Sequence, residues 1–170
     1  MSVEIQQFFG EPAGHTAVGM HRAAMSWMSQ AKYVRELIGR PPITLDESAT
    51  VAQAAGRMRD ENVGSIVVLD PLRRPRGIVT DRDITVRAVA NGRNPATTAL
   101  SEVCTTELTT LSPDDTVQLA VIKMRDNAVR RLLVIDANNH AVGVISLGDL
   151  AVERDAWSAL GQISAAPPNG

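Results

Sequence analysis

The apolar positions of this chain alternate between a helical and an extended periodicity, and they do so twice. Two segments place apolar residues at i, i+3, i+4 and i+7, which predicts one buried stripe on each of two helices. The stripes are Val51, Ala54, Ala55 and Met58 in the first segment, and Val117, Ala120, Val121 and Met124 in the second. Thr50 followed by Gln53 resembles a capping box, so the first helix is expected to begin at this point.

Short apolar runs flank both helices and predict strands. Ser65–Leu69 and Leu132–Ile135 are apolar on both faces and rich in β-branched residues, which is typical of buried strands. Further extended stretches and two leading helical segments complete the pattern. They are Ile43–Leu45, Gly77–Thr80, Thr109–Leu111 and Val142–Ser146 for the strands, and Val34–Ile38 and Leu100–Cys104 for the helical segments.

The two halves of this pattern are a repeat with a 66-residue offset. Val34–Ala88 aligned without gaps on Leu100–Arg154 gives 15 identities in 55 positions. The sequence therefore predicts an α+β or α/β fold of two β-α-β-β-α repeats about a pseudo-twofold axis. We place the repeats at 34–91 and 100–156, with a linker at 92–99, an N-terminal extension at 1–33 that is partly helical or disordered, and a tail at 157–170. An alternative places the physiological start at Met28.

Composition narrows the class of protein. The chain has 170 residues, 44% hydrophobic and 21% charged, which is ordinary for a soluble domain with a sizeable core. A net charge of −2 argues against a broad nucleic-acid surface. The single cysteine, Cys104, leaves no internal disulfide, and the apolar runs are too short to span a bilayer. A cytoplasmic location without membrane contact is expected.

The strand-to-helix turns carry the candidate chemistry. Gly77–Asp83 and Gly143–Asp149 both fit Gly-h-h-[Thr/Ser]-x-x-Asp, where h is apolar. A hydroxyl at a helix N-terminus suits phosphate, and an Asp one turn later can accept hydrogen bonds from ribose hydroxyls. The same spacing is also a capping box that needs no ligand, and spacing alone favours this structural reading.

This duplicated unit resembles a tandem pair of cystathionine-β-synthase (CBS) domains, a Bateman module, over about Val34–Arg154. The likeness is greatest to small stand-alone bacterial CBS-pair proteins. It implies binding of AMP, ADP, ATP or S-adenosylmethionine in clefts between the repeats, no required cofactor, and a homodimer formed through the repeat helices. It implies no catalytic residues, and no metal spacing is evident among the histidines.

The resemblance also implies two sets of ligand-binding residues, each taken from one repeat. The hydroxyls of Thr80 and Ser146 would meet phosphate, and Asp83 and Asp149 would meet the ribose. The first set is Thr44, Val63, Gly64, Ser65, Ile66, Thr80, Arg82 and Asp83; the second is Thr110, Val129, Arg130, Arg131, Leu132, Ser146 and Asp149.

The two sets are not equivalent. Arg82 stands beside the first hydroxyl, where the second repeat has Leu147-Gly148, and Arg130-Arg131 replaces Gly64-Ser65. Two functions remain open: a non-catalytic regulatory protein that binds an adenosyl ligand, or a ligand-free homodimeric scaffold, with an unknown protein partner possible, whose turns are only helix caps. Nucleotide hydrolysis ranks last, because no metal-binding carboxylate cluster is evident.

Overall fold

The structure is a computed structural model that describes residues 31–154 and 163–166. Of the two units into which the chain divides, only the second, Ala31–Gly170, contains described residues. Most of the predicted N-terminal extension and tail lies outside the described residues. The rest of this section concerns the second unit.

Each predicted repeat forms one three-stranded sheet with two helices. In the first repeat the sheet order is β1-β2-β3, where β1 is parallel to β2 and β2 is antiparallel to β3. Its elements are β1 (Thr44–Asp46), α1 (Val51–Asp60), β2 (Ser65–Leu69), β3 (Pro75–Thr80) and α2, which begins as Asp81–Asp83 and continues as a π-helix over Ile84–Val89.

The second repeat has the same layout, which confirms the predicted β-α-β-β-α order. Its sheet order is β4-β5-β6, with one parallel and one antiparallel pair. The elements are β4 (Thr110–Leu111), α3 (Val117–Asp126), β5 (Arg131–Ile135), β6 (Ala141–Ser146) and α4 (Leu147–Arg154). Registers match at the 66-residue offset, since Thr44 pairs with Val67 and Thr110 with Leu133.

The predicted helical stripes form most of the two cores. Val51, Ala54 and Met58 are buried on α1, and Val117, Ala120 and Met124 are buried on α3. Ala55 is exposed and Val121 is only half-buried, so the stripes are narrower than the sequence predicts. Thr50 caps α1 as expected: its hydroxyl oxygen accepts a hydrogen bond from the Gln53 N–H at 3.2 Å, and its own N–H donates to Gln53 Oε1 at 2.8 Å.

The leading segments are exchanged between the repeats. The 3-10 helix Val34–Leu37 packs its buried Val34 into the core of the second sheet, and Leu100–Glu102 packs Leu100 into the core of the first. Backbone hydrogen bonds fix both segments: the Val34 N–H donates to the Asp115 carbonyl at 2.8 Å, and the Leu100 N–H donates to the Ala49 carbonyl at 2.8 Å. Each repeat therefore completes the core of the other.

A third apolar cluster joins the two sheets. Val67 and Leu69 of β2 pack with Leu133 of β5, and all three are buried. Because this cluster and both exchanged segments cross from one repeat to the other, we expect the repeats to unfold as one cooperative unit.

Candidate functional site

Both strand-to-helix turns are closed capping boxes. In the first, Asp83 Oδ2 accepts hydrogen bonds from the Thr80 N–H at 2.9 Å and the Thr80 hydroxyl at 2.7 Å, and the Asp83 N–H donates back to Thr80 Oγ1 at 3.1 Å. In the second, Asp149 Oδ2 accepts from the Ser146 N–H and hydroxyl, both at 2.7 Å, and the Asp149 N–H donates to Ser146 Oγ at 3.2 Å. The hydroxyl protons of both turns are therefore already engaged.

The remaining carboxylate oxygens of the two turns differ. Asp83 Oδ1 lies 3.5 Å from Arg87 Nη2, and Arg87 is also held by the Val103 carbonyl through Nη1 at 2.9 Å. The 66-residue offset places Glu153 where the first repeat has Arg87. Asp149 Oδ1 consequently has no hydrogen-bond or ion-pair partner within the described part of the chain. Only the second turn offers a carboxylate oxygen to a ligand.

The larger cleft lies between the repeats, and Asp149 lines it. Its volume is about 630 Å³, within the range of small-molecule sites. The lining residues are Leu37, Gly39, Arg40, Pro41, Pro42, Ile43, Asn62, Val63, Gly64, Ser65, Arg131, Val144, Ser146 and Asp149. The cleft therefore combines walls of the first repeat with the turn of the second.

A smaller cleft has the reciprocal composition. It measures about 190 Å³ and joins Thr80 of the first repeat to Val129, Arg130 and Arg131 of the second. The remaining lining residues are Ile78, Thr105, Glu107, Leu108, Thr109 and Leu133. Arg131 lines both clefts.

The structure thus corrects the grouping expected from sequence, in which each cleft takes its walls and its turn from one repeat. Val63, Gly64 and Ser65 share a cleft with Ser146 and Asp149 instead of with Thr80 and Asp83. The physical reason is that the two sheets pack against each other across the pseudo-twofold axis, so the wall of each repeat faces the turn of the other.

Six of the predicted residues line neither of these clefts. Ile66 and Leu132 are fully buried in their own cores, and Arg82 is exposed on α2. Thr44 and Thr110 do not line the clefts, whereas the residues directly before them, Ile43 and Thr109, do. Successive residues of an extended chain face opposite sides, so only one of each pair can face the cleft. The sixth is Asp83, which is held by Arg87.

The segment before β1 was missed by the sequence analysis. Gly39, Arg40, Pro41 and Pro42 form part of the larger cleft. A glycine, a cation and two prolines directly before a strand are a loop signal that could have marked this segment as a candidate.

The arginines show where positive charge is left uncompensated. Among the described arginine side chains, only those of Arg40, Arg82, Arg130 and Arg131 lack an ion pair. Three of these four line the clefts. The basic turn at Arg73, Arg74 and Arg76 is neutralised by Asp46, Asp70 and Glu47. Unpaired guanidinium groups in a cleft favour phosphate or another oxyanion.

The pKa shifts of three further groups follow from burial and from local hydrogen bonds. Burial raises the pKa of the Cys104 thiol, which packs in the first core. Backbone N–H donors, first that of Arg74 at Asp70 and that of His140 at Asp136, lower the pKa of these two turn carboxyls. Within residues 31–154 and 163–166 no three His, Cys, Asp or Glu side chains are grouped as metal ligands, and no helix there is long and apolar enough to cross a membrane.

Comparison with known proteins agrees with this architecture. The CBS domain family model matches residues 34–89 and 100–154. The CBS domain-containing protein YhcV of Bacillus subtilis is 38% identical over 135 residues, which cover 77% of this chain and 94% of YhcV. Hypoxic response protein 1 of Mycobacterium tuberculosis is 26% identical over 117 residues, covering 69% of this chain and 81% of that protein.

A solved structure shows the same fold with a ligand. A CBS domain protein from Pyrobaculum aerophilum, complexed with AMP, is 29% identical, has a TM-score of 0.65, and is matched over 77% of this chain and 95% of its own. The two repeats, the two family matches and these relatives lead to one conclusion: the chain belongs to the CBS domain family and carries a tandem pair of these domains.

Proposed function

We propose that this protein is a non-catalytic regulatory protein that binds an adenine nucleotide in the larger cleft. The observation that carries the proposal is that Asp149, whose Oδ1 has no partner among the described residues, lines the same cleft as two arginines without ion pairs, Arg40 and Arg131. A carboxylate oxygen suits the ribose hydroxyls, and guanidinium groups suit phosphate. The AMP complex of the P. aerophilum relative supports an adenine nucleotide as the ligand.

The charge of the cleft favours nucleotides over S-adenosylmethionine. Both classes share the adenosyl group, for which Leu37, Val63 and Val144 provide apolar surface. S-Adenosylmethionine carries a sulfonium cation where a nucleotide carries phosphate, and the two guanidinium groups of the cleft, which outnumber its single carboxylate at Asp149, disfavour that cation. AMP, ADP and ATP therefore form the proposed ligand class.

Regulation would follow from the position of the cleft. Its walls come from both repeats, so a ligand that contacts Val63 and Asp149 together binds best to one relative placement of the repeats. A ligand shifts a conformational equilibrium by its difference in affinity for the two states. This is the proposed route from nucleotide binding to a partner.

Calorimetric titration of the full chain with AMP, ATP and S-adenosylmethionine tests the function. We expect AMP and ATP to bind with millimolar or tighter Kd, and S-adenosylmethionine to bind at least about tenfold more weakly, since a charged hydrogen bond contributes about 1.5–3 kcal/mol. Adenosine serves as the matched control without phosphate. A folded protein that binds none of these ligands would refute the function, and S-adenosylmethionine binding most tightly would refute the charge assignment.

One observation supports the alternative function as a ligand-free scaffold. Both capping boxes are complete without a ligand, so the turns need no nucleotide to stabilise α2 and α4. Under that function the calorimetric titration gives no heat of binding, although the protein is folded.

We also propose a homodimer formed through the repeat helices. An apolar groove of about 420 Å³ lies between α3 and α4 and includes Val121, Met124, Leu147 and Leu150. Leu147 is 46% exposed, and Val86 and Val89 of α2 are similarly exposed. We expect sedimentation velocity to show a dimer that Leu147→Glu shifts to monomer, because the substitution introduces a charge into an apolar contact. The exposed Leu72→Glu is the control, and a monomeric parent protein would refute the dimer.

A further inference from the structure

A carboxylate of the first repeat faces Arg131 of the second. Arg131 lies in β5, directly opposite Ser146 in the strand register, and is half-buried. Asp81 is the first residue of α2. Arg131 Nη2 lies 2.9 Å, and Asp81 Oδ2 lies 3.3 Å, from the point where a Cβ on Gly64 would be. The two charged groups therefore approach each other beside a glycine that has no side chain to separate them.

Both of these charged atoms lack a partner within the described residues. Asp81 Oδ1 accepts a hydrogen bond from the Arg82 N–H at 2.7 Å, but no hydrogen bond or ion pair there involves Asp81 Oδ2 or the Arg131 guanidinium. The separation of Arg131 Nη2 from Asp81 Oδ2 exceeds the 4.0 Å of an ion pair and is at most the two distances above combined. Opposite charges at this range attract each other, and a change of side-chain rotamer can bring them into contact.

The pseudo-twofold counterparts of both residues are uncharged. At the 66-residue offset, Asp81 corresponds to Leu147 and Arg131 to Ser65. The backbone hydrogen bond of this turn is present in both repeats, donated by the Asp81 N–H at 3.4 Å and by the Leu147 N–H at 2.9 Å. The same backbone frame thus occurs twice, and the facing charges occur at one of the two places. The fold of the repeat therefore does not require these charges.

We propose that Asp81 is a positioning residue that sets the charge selectivity of the larger cleft, because it competes with the phosphate of the ligand for Arg131. The selectivity rests on the proposed nucleotide function, whereas the pairing of Asp81 with Arg131 is a property of the ligand-free protein. Without ligand, the Asp81 carboxylate offsets the charge of Arg131. A phosphate in the larger cleft has to draw the guanidinium away from Asp81, which lowers the affinity for phosphate.

The same exchange links ligand binding to the contact between the repeats. Asp81 belongs to α2 of the first repeat and Arg131 to β5 of the second, so a phosphate that takes the guanidinium removes an attraction between the repeats. Adenosine has no phosphate and leaves this attraction in place. AMP and adenosine therefore differ in their effect on the relative placement of the repeats.

Asp81→Asn removes the charge and keeps the shape of the side chain. The amide oxygen of asparagine can still accept the hydrogen bond from the Arg82 N–H, so the start of α2 is preserved. Asp83→Asn is the matched control, because it removes a carboxylate two residues further along the same helix, where the side chain contacts Arg87 instead of Arg131. Asp81→Glu keeps the charge. Circular dichroism shows whether each variant is folded.

Calorimetric titration of the full chain with AMP, adenosine and S-adenosylmethionine at constant ionic strength tests the selectivity. We expect Asp81→Asn to bind AMP about threefold to fivefold more tightly than the parent protein, adenosine equally well, and S-adenosylmethionine no more tightly. For Asp81→Glu and Asp83→Asn the AMP affinity should change less than about twofold. In the Arg131→Gln background, Asp81→Asn should leave the AMP affinity unchanged.

Four results of this titration would overturn the selectivity. The first is an unchanged AMP affinity in Asp81→Asn. The second is an equal gain for adenosine, because Asp81 would then act through the shape of the cleft and not through its charge. The third and fourth are a gain of the same size in Asp83→Asn and a gain that persists in the Arg131→Gln background, since either would mean that the carboxylate does not act through Arg131.

Urea unfolding of the ligand-free protein tests the pairing separately. We expect Asp81→Asn to lower the urea midpoint of the parent protein and to lower it less in the Arg131→Gln background, where the attraction is already absent. Equal shifts in the two backgrounds would overturn the pairing. If AMP does not bind at all, the nucleotide function and the charge selectivity fail together, and the urea midpoints still decide whether Asp81 pairs with Arg131.

Discussion

Asp149→Asn is expected to weaken AMP binding about tenfold to hundredfold, whereas Asp83→Asn should change it less than twofold. Asparagine can still accept the Ser146 hydrogen bonds through its amide oxygen, so the capping box is kept. The other position then carries an NH₂ group, which cannot accept hydrogen bonds from ribose hydroxyls. A hydrogen bond to a charged group contributes about 1.5–3 kcal/mol, and each 1.4 kcal/mol is a factor of ten in Kd.

Asp83→Asn is a matched control because the two turns have the same local geometry. The substitution changes the same atom in the same type of box, but the atom it alters contacts Arg87 and lines neither cleft. Calorimetry gives the affinities, and thermal unfolding shows whether both variants keep comparable stability. Equal losses of affinity would mean that both turns bind nucleotide. A loss only in Asp83→Asn would place the nucleotide at the first turn and refute binding in the larger cleft, and no loss in either would leave the turns as caps.

Local sequence patterns predicted the elements and the two turns. The stripe at Val51, Ala54 and Met58 and the boxes at Thr80 and Ser146 depend on residues within two helical turns of each other, and the 66-residue repeat shows each pattern a second time. Spacing determines such contacts, because the helical and extended periods fix which side chains meet.

The composition of the clefts could not be predicted in this way. The contacts of Ser146 with the walls at Val63 and Gly64 depend on how two sheets pack, and no local pattern contains that information. The exchange of Val34 and Leu100 is of the same kind: an apolar residue before a strand indicates burial but not which core it enters. Arg82 was predicted to line a cleft because it is next to the turn in sequence. Its side chain is exposed and lines neither cleft.

Leu100→Ala is expected to lower the free energy of unfolding by about 2–5 kcal/mol, the usual range for a leucine truncated in a core. Leu100 has no exposed surface and packs with Val51, Val68 and Val103 in the first core. Domains of this size have a total stability of about 5–15 kcal/mol, so the loss is a large share. Leu72→Ala, at a position 68% exposed, is the matched control and should change the stability by less than about 0.5 kcal/mol.

The exchanged segments also predict how the Leu100→Ala variant unfolds. Leu100 begins the second repeat but packs in the core of the first, and Val34 begins the first repeat but packs in the core of the second. Neither core can therefore open without releasing a segment that connects to the other. Urea unfolding of Leu100→Ala should therefore remain a single transition. Hydrogen exchange at the Val68 and Val134 amides, in the central strands of the two sheets, should accelerate by the same factor. If Val134 keeps its parental protection while Val68 loses it, the repeats unfold independently and the exchanged segments do not couple them.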